Sequence, residues 1–175
     1  MKIIAFAGSP SKNSINKKLA AYAAGLFEDT EVEVLDLNDY EMPLFSVDKE
    51  AVVGQHALAK AFLEKIAGAD FVVVSLAENN GNYSAAFKNT LDWCSRINAK
   101  LFQDKPMLLM ATSPGARGGA SVLEIAQNNF PRFNAQIKAT FSLPSFNDNF
   151  DVEKMKISNE ELDKQLQNII KEISF

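Results

Sequence analysis

Five short apolar runs punctuate the chain: Ile3 to Ala7, Val32 to Leu37, Phe71 to Leu76, Met107 to Ala111 and Ile137 to Leu143. They are rich in β-branched and aromatic residues and too continuous for strands with one wet face, in which apolar and polar residues alternate. Runs of this kind read as strands buried on both faces, which demands a parallel sheet sheltered between two layers of helix. Segments of helical period fill the gaps. Ile15, Leu19, Tyr22, Ala23 and Leu26 line one helix face, with Ser14 as a suitable N-cap. Leu58, Phe62, Leu63 and Ile66 mark a second helix, Phe87, Leu91 and Cys94 a third, and residues 119–130 a weaker fourth. The clearest stripe is the last, through Leu162, Leu166, Ile169, Ile170 and Ile173, with Ser158 and Glu161 spaced as a capping box. Strand and helix thus alternate five times, and the fold class is α/β: a doubly wound, five-stranded parallel sheet with helices on both faces. Right-handed crossovers make 2-1-3-4-5 the expected strand order. No repeat, low-complexity tract or Pro/Gly-rich linker divides residues 1–175, so one domain is expected. Two long irregular stretches remain, Asn38 to Gly54 and Pro144 to Lys156, and loops of that length usually serve function or cover something.

Composition then narrows the chemistry. Lys and Arg number 18 against 22 Asp and Glu, a net charge of −4, which argues against nucleic acid or an anionic membrane surface as partner. No apolar stretch approaches the roughly 20 residues of a membrane helix, and Ile3 to Ala7 is shorter than a secretory apolar region, so a reduced, cytoplasmic setting is expected. A single Cys and a single His leave no disulfide and no Cys/His zinc site within one chain, and no G-x-S-x-G elbow is present. No catalytic side chain is assigned. His56, at the start of the second helix, reads as a cap or a solvated residue, and Cys94 as a small buried hydrophobe. Any reactivity is expected to come from a bound group.

In open α/β sheets ligands sit outside the carboxyl ends of the strands, near the switch point. The loops after strands 1, 3 and 4 are the ones to read. The first, Gly8-Ser9-Pro10-Ser11-Lys12-Asn13-Ser14-Ile15-Asn16, gathers hydroxyls and backbone N–H groups at a helix start, which suits a phosphate. It matches neither the Walker A nor the G-x-G-x-x-G spacing, and a polar turn with a serine cap reads equally well. The second, Ala77-Glu78-Asn79-Asn80-Gly81-Asn82-Tyr83-Ser84, offers amides and a tight turn suited to the polar edge of a heterocycle; a surface turn before a helix is the other reading. Beyond it, Lys88 and Asp92 are spaced for an exposed ion pair. The third, Ser113-Pro114-Gly115-Ala116-Arg117-Gly118-Gly119, has three glycines in a short span, so backbone approaches something closely or adopts positive φ. That something is a ligand or the turn itself.

Together these loops resemble the NADPH-dependent FMN reductase family of flavodoxin-like proteins, which includes quinone, azo-dye and chromate reductases. The pattern G-S-x-R-x-x-S-x-N-x-x-L-A is matched at Gly8, Ser9, Ser14, Asn16, Leu19 and Ala20. The pattern P-E-Y-N-G-S, followed by K-N-x-L-D-W, is matched at Glu78, Asn80, Gly81, Lys88, Asn89, Leu91, Asp92 and Trp93, and S-P-G-x-x-G-G at Ser113, Pro114, Gly115, Gly118 and Gly119. The resemblance implies an oxidoreductase that passes hydride from NADPH or NADH through FMN to a small-molecule acceptor such as free flavin, a quinone or an azo compound. By it, Ser9, Ser11, Ser14, Ile15 and Asn16 hold the FMN phosphate. Ala77, Glu78, Asn79, Asn80 and Gly81 meet the ribityl and pyrimidine side, and Ser113, Gly115 and Gly118 line the far side of the ring. It also implies a homodimer or homotetramer, with the helix carrying Leu91 and Trp93 contributing to the interface and Phe45, Phe146 and Phe150 as contact or lid residues. The chain departs from the pattern at Ser11, where the family has arginine, at Ala77 and Asn79, where it has proline and tyrosine, and at Asn82, where it has serine; Tyr83 stands nearby as a substitute aromatic. Two other readings share the fold: a one-electron carrier, and a flavin-free regulatory relative.

Overall fold

The structure, a computed structural model, describes residues 1–173. In chain order it contains β1 (Lys2–Gly8), α1 (Ile15–Ala24), β2 (Glu31–Leu35), α2 (Val47–Val53), α3 (Ala57–Ala67), β3 (Phe71–Leu76), β4 (Glu78–Asn79), β5 (Asn82–Tyr83), α4 (Ala85–Ser95), β6 (Pro106–Thr112), α5 (Ala120–Asn129), β7 (Gln136–Leu143), α6 (Phe146–Asn149), β8 (Phe150–Asp151), β9 (Lys156–Ile157) and α7 (Glu160–Glu172). The main sheet runs β2-β1-β3-β6-β7 with every pairing parallel. Counting only its five strands, this is the 2-1-3-4-5 order expected from the sequence.

Side chains alternate across the sheet and build two cores. Ile4, Phe6, Val72, Val74 and Leu109 face α3, α4 and α5 through Phe62, Leu91 and Val122. Ile3, Ala5, Val73, Leu108 and Met110 face α1 and α7 through Leu19, Ala20, Leu166 and Ile170. Central strands β1, β3 and β6 are buried almost throughout, as their unbroken apolar runs require. The edge strands differ from expectation. β2 and β7 are half-exposed, and Val32 and Val34 reach solvent, because an edge strand has one neighbour and the helices centre on the middle of the sheet.

Both irregular stretches turn out to be strapped onto the body. A 3₁₀ turn over Leu37–Tyr40 leads to residues 42–45, which Asn89 holds by donating from Nδ2 to the carbonyls of Met42 (3.0 Å) and Pro43 (3.2 Å) and accepting at Oδ1 from the Phe45 N–H (2.8 Å). Trp93 Nε1 donates to the Pro43 carbonyl at 2.7 Å. The Asn and Trp of the K-N-x-L-D-W run therefore have structural work. Leu91 and Trp93 are buried within the protomer and are not available to a second subunit. In the later stretch Phe146, 1% exposed, and Phe150 stack at 4.7 Å inside the α1/α7 core, so neither is a lid; Phe45 packs edge-on against Trp93 at 5.1 Å.

The small residues settle similarly. Ser14 caps α1, its Oγ accepting from the Lys17 N–H, and His56 caps α3 through Nδ1. At α7 the cap is Asn159, which accepts from the N–H groups of Glu161 and Leu162, one residue beyond the expected Ser158. Lys88 and Asp92 form the exposed pair. Cys94 is buried, which pushes its thiol up to about 12. Because Phe146 is core, Phe146→Ala should lower unfolding stability by about 3 to 5 kcal/mol in a urea titration; a lid residue would leave the unfolding midpoint in place.

Candidate functional site

A cleft of about 220 Å³ opens outside the carboxyl ends of β1, β3 and β6. It is lined by Ser9, Ser11, Ser14, Ile15 and Asn16 from the first loop, Ala77, Glu78 and Asn79 from the second, and Ser113 from the third. Asn13, Thr112 and Pro114 line it as well. Asn80, Gly81, Gly115 and Gly118, read from sequence as site residues, are not among its lining. A larger hollow of about 510 Å³ lies between the ends of α1 and α7 beside Met1, but no strand-end loop reaches it. Among the described residues, no group of His, Cys, Asp or Glu is placed to hold a metal ion.

The first loop is shaped by packing beneath it. A Cβ at Gly8 would lie 2.8 Å from Leu76 Cδ2 and 3.1 Å from the Phe87 ring, so anything larger than glycine would force these core side chains to shift, and the Gly8 carbonyl accepts from Ser84 Oγ at 2.9 Å. Ser9 Oγ accepts from the Ser11 N–H at 3.3 Å, and the Ser14 N–H donates to the Ser11 carbonyl at 3.1 Å. The N–H groups of Lys12, Asn13, Ile15 and Asn16 have no acceptor among the described residues. Unpaired donors at the positive end of a helix suit one phosphate, and hydroxyls and amides supply the donor set even without the family's arginine. Lys12 is exposed beside them, while Lys17 is paired with Asp36, whose carboxyl is held below its usual range chiefly by that hydrogen bond.

Asn16 is the departure from expectation in this loop. Its side chain, 2% exposed, is spent inside the protein: Oδ1 accepts from Ser75 Oγ (2.7 Å) and the Thr112 N–H (3.0 Å), and Nδ2 donates to the Thr112 carbonyl (3.1 Å). Only its backbone N–H is left for a ligand. Thr112, which the sequence reading missed, donates from Oγ1 to the Leu143 carbonyl at 2.7 Å. Its signal was a hydroxyl closing an otherwise apolar strand, easily taken for core.

The second loop is a small hairpin of β4 and β5, turned by Asn80 (φ 52°) and Gly81 (φ 74°) in the two-residue geometry that Asn-Gly favours. Those two residues make the turn, as the plainer reading held, and project it past the cleft. Tyr83 is half-buried against the core, nearly parallel to Phe130 at 6.1 Å and edge-on to Phe87, with its hydroxyl pKa raised by burial, and it does not line the cleft. Glu78 Oε2 accepts from the N–H groups of Ser121 (3.0 Å) and Val122 (3.1 Å), at the start of α5.

In the third loop, Gly118 (φ 57°) and Gly119 (φ 78°) are required by the turn. A Cβ at Gly118 would meet Ser142 Oγ at 2.3 Å, and one at Gly119 would meet Ala111 Cβ at 2.9 Å. The Gly118 N–H donates to the Gly115 carbonyl, and its own carbonyl accepts from Ser142 Oγ. Its backbone is thus spent within the fold, while a Cβ at Gly115 would make only an ordinary contact, with Ser113 Oγ at 3.8 Å. Residues 144–149 brace this loop, with N–H donation from Ser145 to the Gly115 carbonyl and from Phe146 to the Ser113 carbonyl, both at 3.0 Å.

A doubly wound parallel sheet whose carboxyl edge carries a donor-rich helix start, an amide-bearing hairpin and a glycine loop defines a flavodoxin-like α/β protein. The family model described as NADPH-dependent FMN reductase matches residues 1–148, and the chain belongs to that family. An Arabidopsis thaliana protein named NADPH:quinone oxidoreductase is 30% identical over 131 residues, covering 73% of this chain and 65% of its own. A Burkholderia sp 2-hydroxy-1,4-benzoquinone reductase is 34% identical over 122 residues, covering 69% and 64%. The chain thus spans just under two thirds of the length of these relatives. Among solved structures, the flavoenzyme NAD(P)H:acceptor oxidoreductase FerB from Paracoccus denitrificans superposes with a TM-score of 0.75 at 23% identity, covering 97% of this chain and 93% of its own, which shows a shared fold.

Because Asn16 satisfies two buried donors and one carbonyl, Asn16→Ala should cost about 2 to 4 kcal/mol of stability. Hydrogen exchange should then rise at the Thr112 amide; an unchanged exchange rate there would remove Asn16 from its bracing role.

Proposed function

We propose that residues 1–175 act as one FMN-binding unit that oxidises NADPH or NADH and reduces a small acceptor such as a quinone, an azo compound or free flavin. The observation that carries this reading is the convergence of all three family motifs on one cleft, with unpaired N–H donors gathered at its α1 end. There the backbone N–H groups of Lys12, Asn13, Ile15 and Asn16, with the hydroxyls of Ser9 and Ser11, would hold the phosphate, and Ser14 keeps the helix start ordered by capping it. Ala77, Glu78 and Asn79 would flank the middle of the cofactor, and Ser113 its far side. The flavin, when bound, supplies hydride acceptance and delivery, so the protein needs no nucleophile of its own.

The cleft also favours a reductase over a closed electron carrier. No aromatic side chain lines it among the described residues, so one face stays open for a nicotinamide and an acceptor to occupy in turn. Backbone rigidity then does the orienting: Asn16, Ser84 and the 144–149 brace fix the three loops before any ligand arrives. Purified protein should be yellow, and the apoprotein should bind FMN at least about tenfold tighter than riboflavin, the margin one phosphate contributes through about 1.4 kcal/mol of donor contacts. NADPH or NADH should bleach the bound colour anaerobically. A chain that binds neither flavin and oxidises neither nicotinamide sinks the proposal.

We also infer a homodimer or homotetramer in a reduced, cytoplasmic setting. Leu44, Val47, Val52 and Val53 are 71%, 66%, 85% and 54% exposed on and beside α2, apolar surface that a second copy would cover. Light scattering should report a mass above one chain, and Val47→Glu with Val52→Glu should lower it; a monomeric parent chain would refute this part. Among the described residues no helix is long and apolar enough to cross a membrane.

A further inference from the structure

Glu78 borders the cleft, yet one oxygen of its carboxylate, Oε2, is committed elsewhere, to the first turn of α5. That helix cannot cap itself. Its N-cap is Gly119, without a side chain, held at positive φ and pressed against Ala111, and its first turn has no acidic residue. The other helices of ten residues or more each carry their own capping side chain: Ser14 for α1, His56 for α3, Ser84 for α4 and Asn159 for α7. α5 alone among them is capped from a distance, 43 residues upstream in sequence.

Two physical effects follow from one carboxylate. It ties the β4–β5 hairpin to the first turn of α5, directly after the glycine loop, and so fixes the second wall of the cleft against the element that follows the third. It also places a full negative charge on the positive end of α5 and at the margin of the cleft. No cation neutralises it in an ion pair among the described residues: Arg117, on the adjoining loop, donates to Ser121 Oγ instead.

We propose that Glu78 has two separable roles: its reach to α5 positions the cleft walls, and its charge sets the reduction potential of the cofactor. The charge disfavours the more negative reduced state, so that the reduced cofactor gives up hydride more readily. The assignment rests on the flavin reading above. It differs from a contact role for the Glu78 carboxylate, since Oε2 already accepts two backbone donors of α5 and ties the side chain to that helix.

The test compares the parent chain with Glu78→Gln and Glu78→Asp, measuring the apoprotein melting temperature, FMN affinity by fluorescence titration and the midpoint potential against a reference dye. Glutamine keeps the shape and removes the charge; aspartate keeps the charge and falls short of α5. Both variants should melt lower than the parent. Glu78→Gln should favour the reduced over the oxidised cofactor by at least about tenfold, a positive shift of about 30 mV for the two-electron couple, while Glu78→Asp should hold the parent potential. An unchanged potential in Glu78→Gln, or an equal shift in Glu78→Asp, overturns the proposal. A parent chain that binds no FMN fails the flavin reading itself, and the melting data then report the cap alone.

Discussion

A buried amide has no water to turn to, and at Asn16 that necessity organises the carboxyl edge of the sheet. Its oxygen takes one donor from β3 and one from the end of β6, and its nitrogen returns a bond to the same β6 residue. The start of α1 is thereby fixed against two strands at once. Other bonds repeat the pattern: Ser84 joins the hairpin to β1, Glu78 joins it to α5, and Ser142 joins the glycine loop to β7. Each of these polar groups would carry a desolvation penalty if left alone, so the loops are held by the cost of separating them. The ordering cost that a ligand would otherwise meet is borne during folding.

This arrangement separates two kinds of residue that sequence motifs mix together. Gly8, Gly118, Gly119, Asn89 and Trp93 belong to the motif pattern, yet every one of them has a structural assignment in close packing or in internal hydrogen bonds. What remains free to meet a ligand is mostly backbone N–H and serine hydroxyl. Such groups carry no charge of their own, so the phosphate role proposed for the first loop is compatible with a chain of net charge −4: the field there is local and supplied by a helix end.

The fold was legible because burial on two faces leaves an unmistakable mark at β1, β3 and β6, and because helical periodicity survives in α1 and α7. The caps at Ser14 and His56 were legible too, being decided within a few residues. What escaped the sequence was decided far away along the chain. Glu78 caps a helix 43 residues on, and Thr112 owes its importance to an asparagine 96 residues earlier. Phe146 and Phe150 look like loop aromatics until the chain folds them back into a core. The exposure of Val32 and Val34 shows the converse, since an apolar run announces a strand without saying whether anything will cover it.

The separation between Asn16 and Thr112 also carries a meaning for the order of events along the chain. The Asn16–Thr112 contact closes 96 residues against 68 for Ile3 and Phe71 in the β1–β3 pairing, so it carries the larger loop-closure cost. Until β6 docks, the α1 end of the cleft has no opposite wall and Asn16 has no partner on that side. A chain in which the cleft is complete has, by that fact, brought Thr112 back to Asn16 across 96 residues.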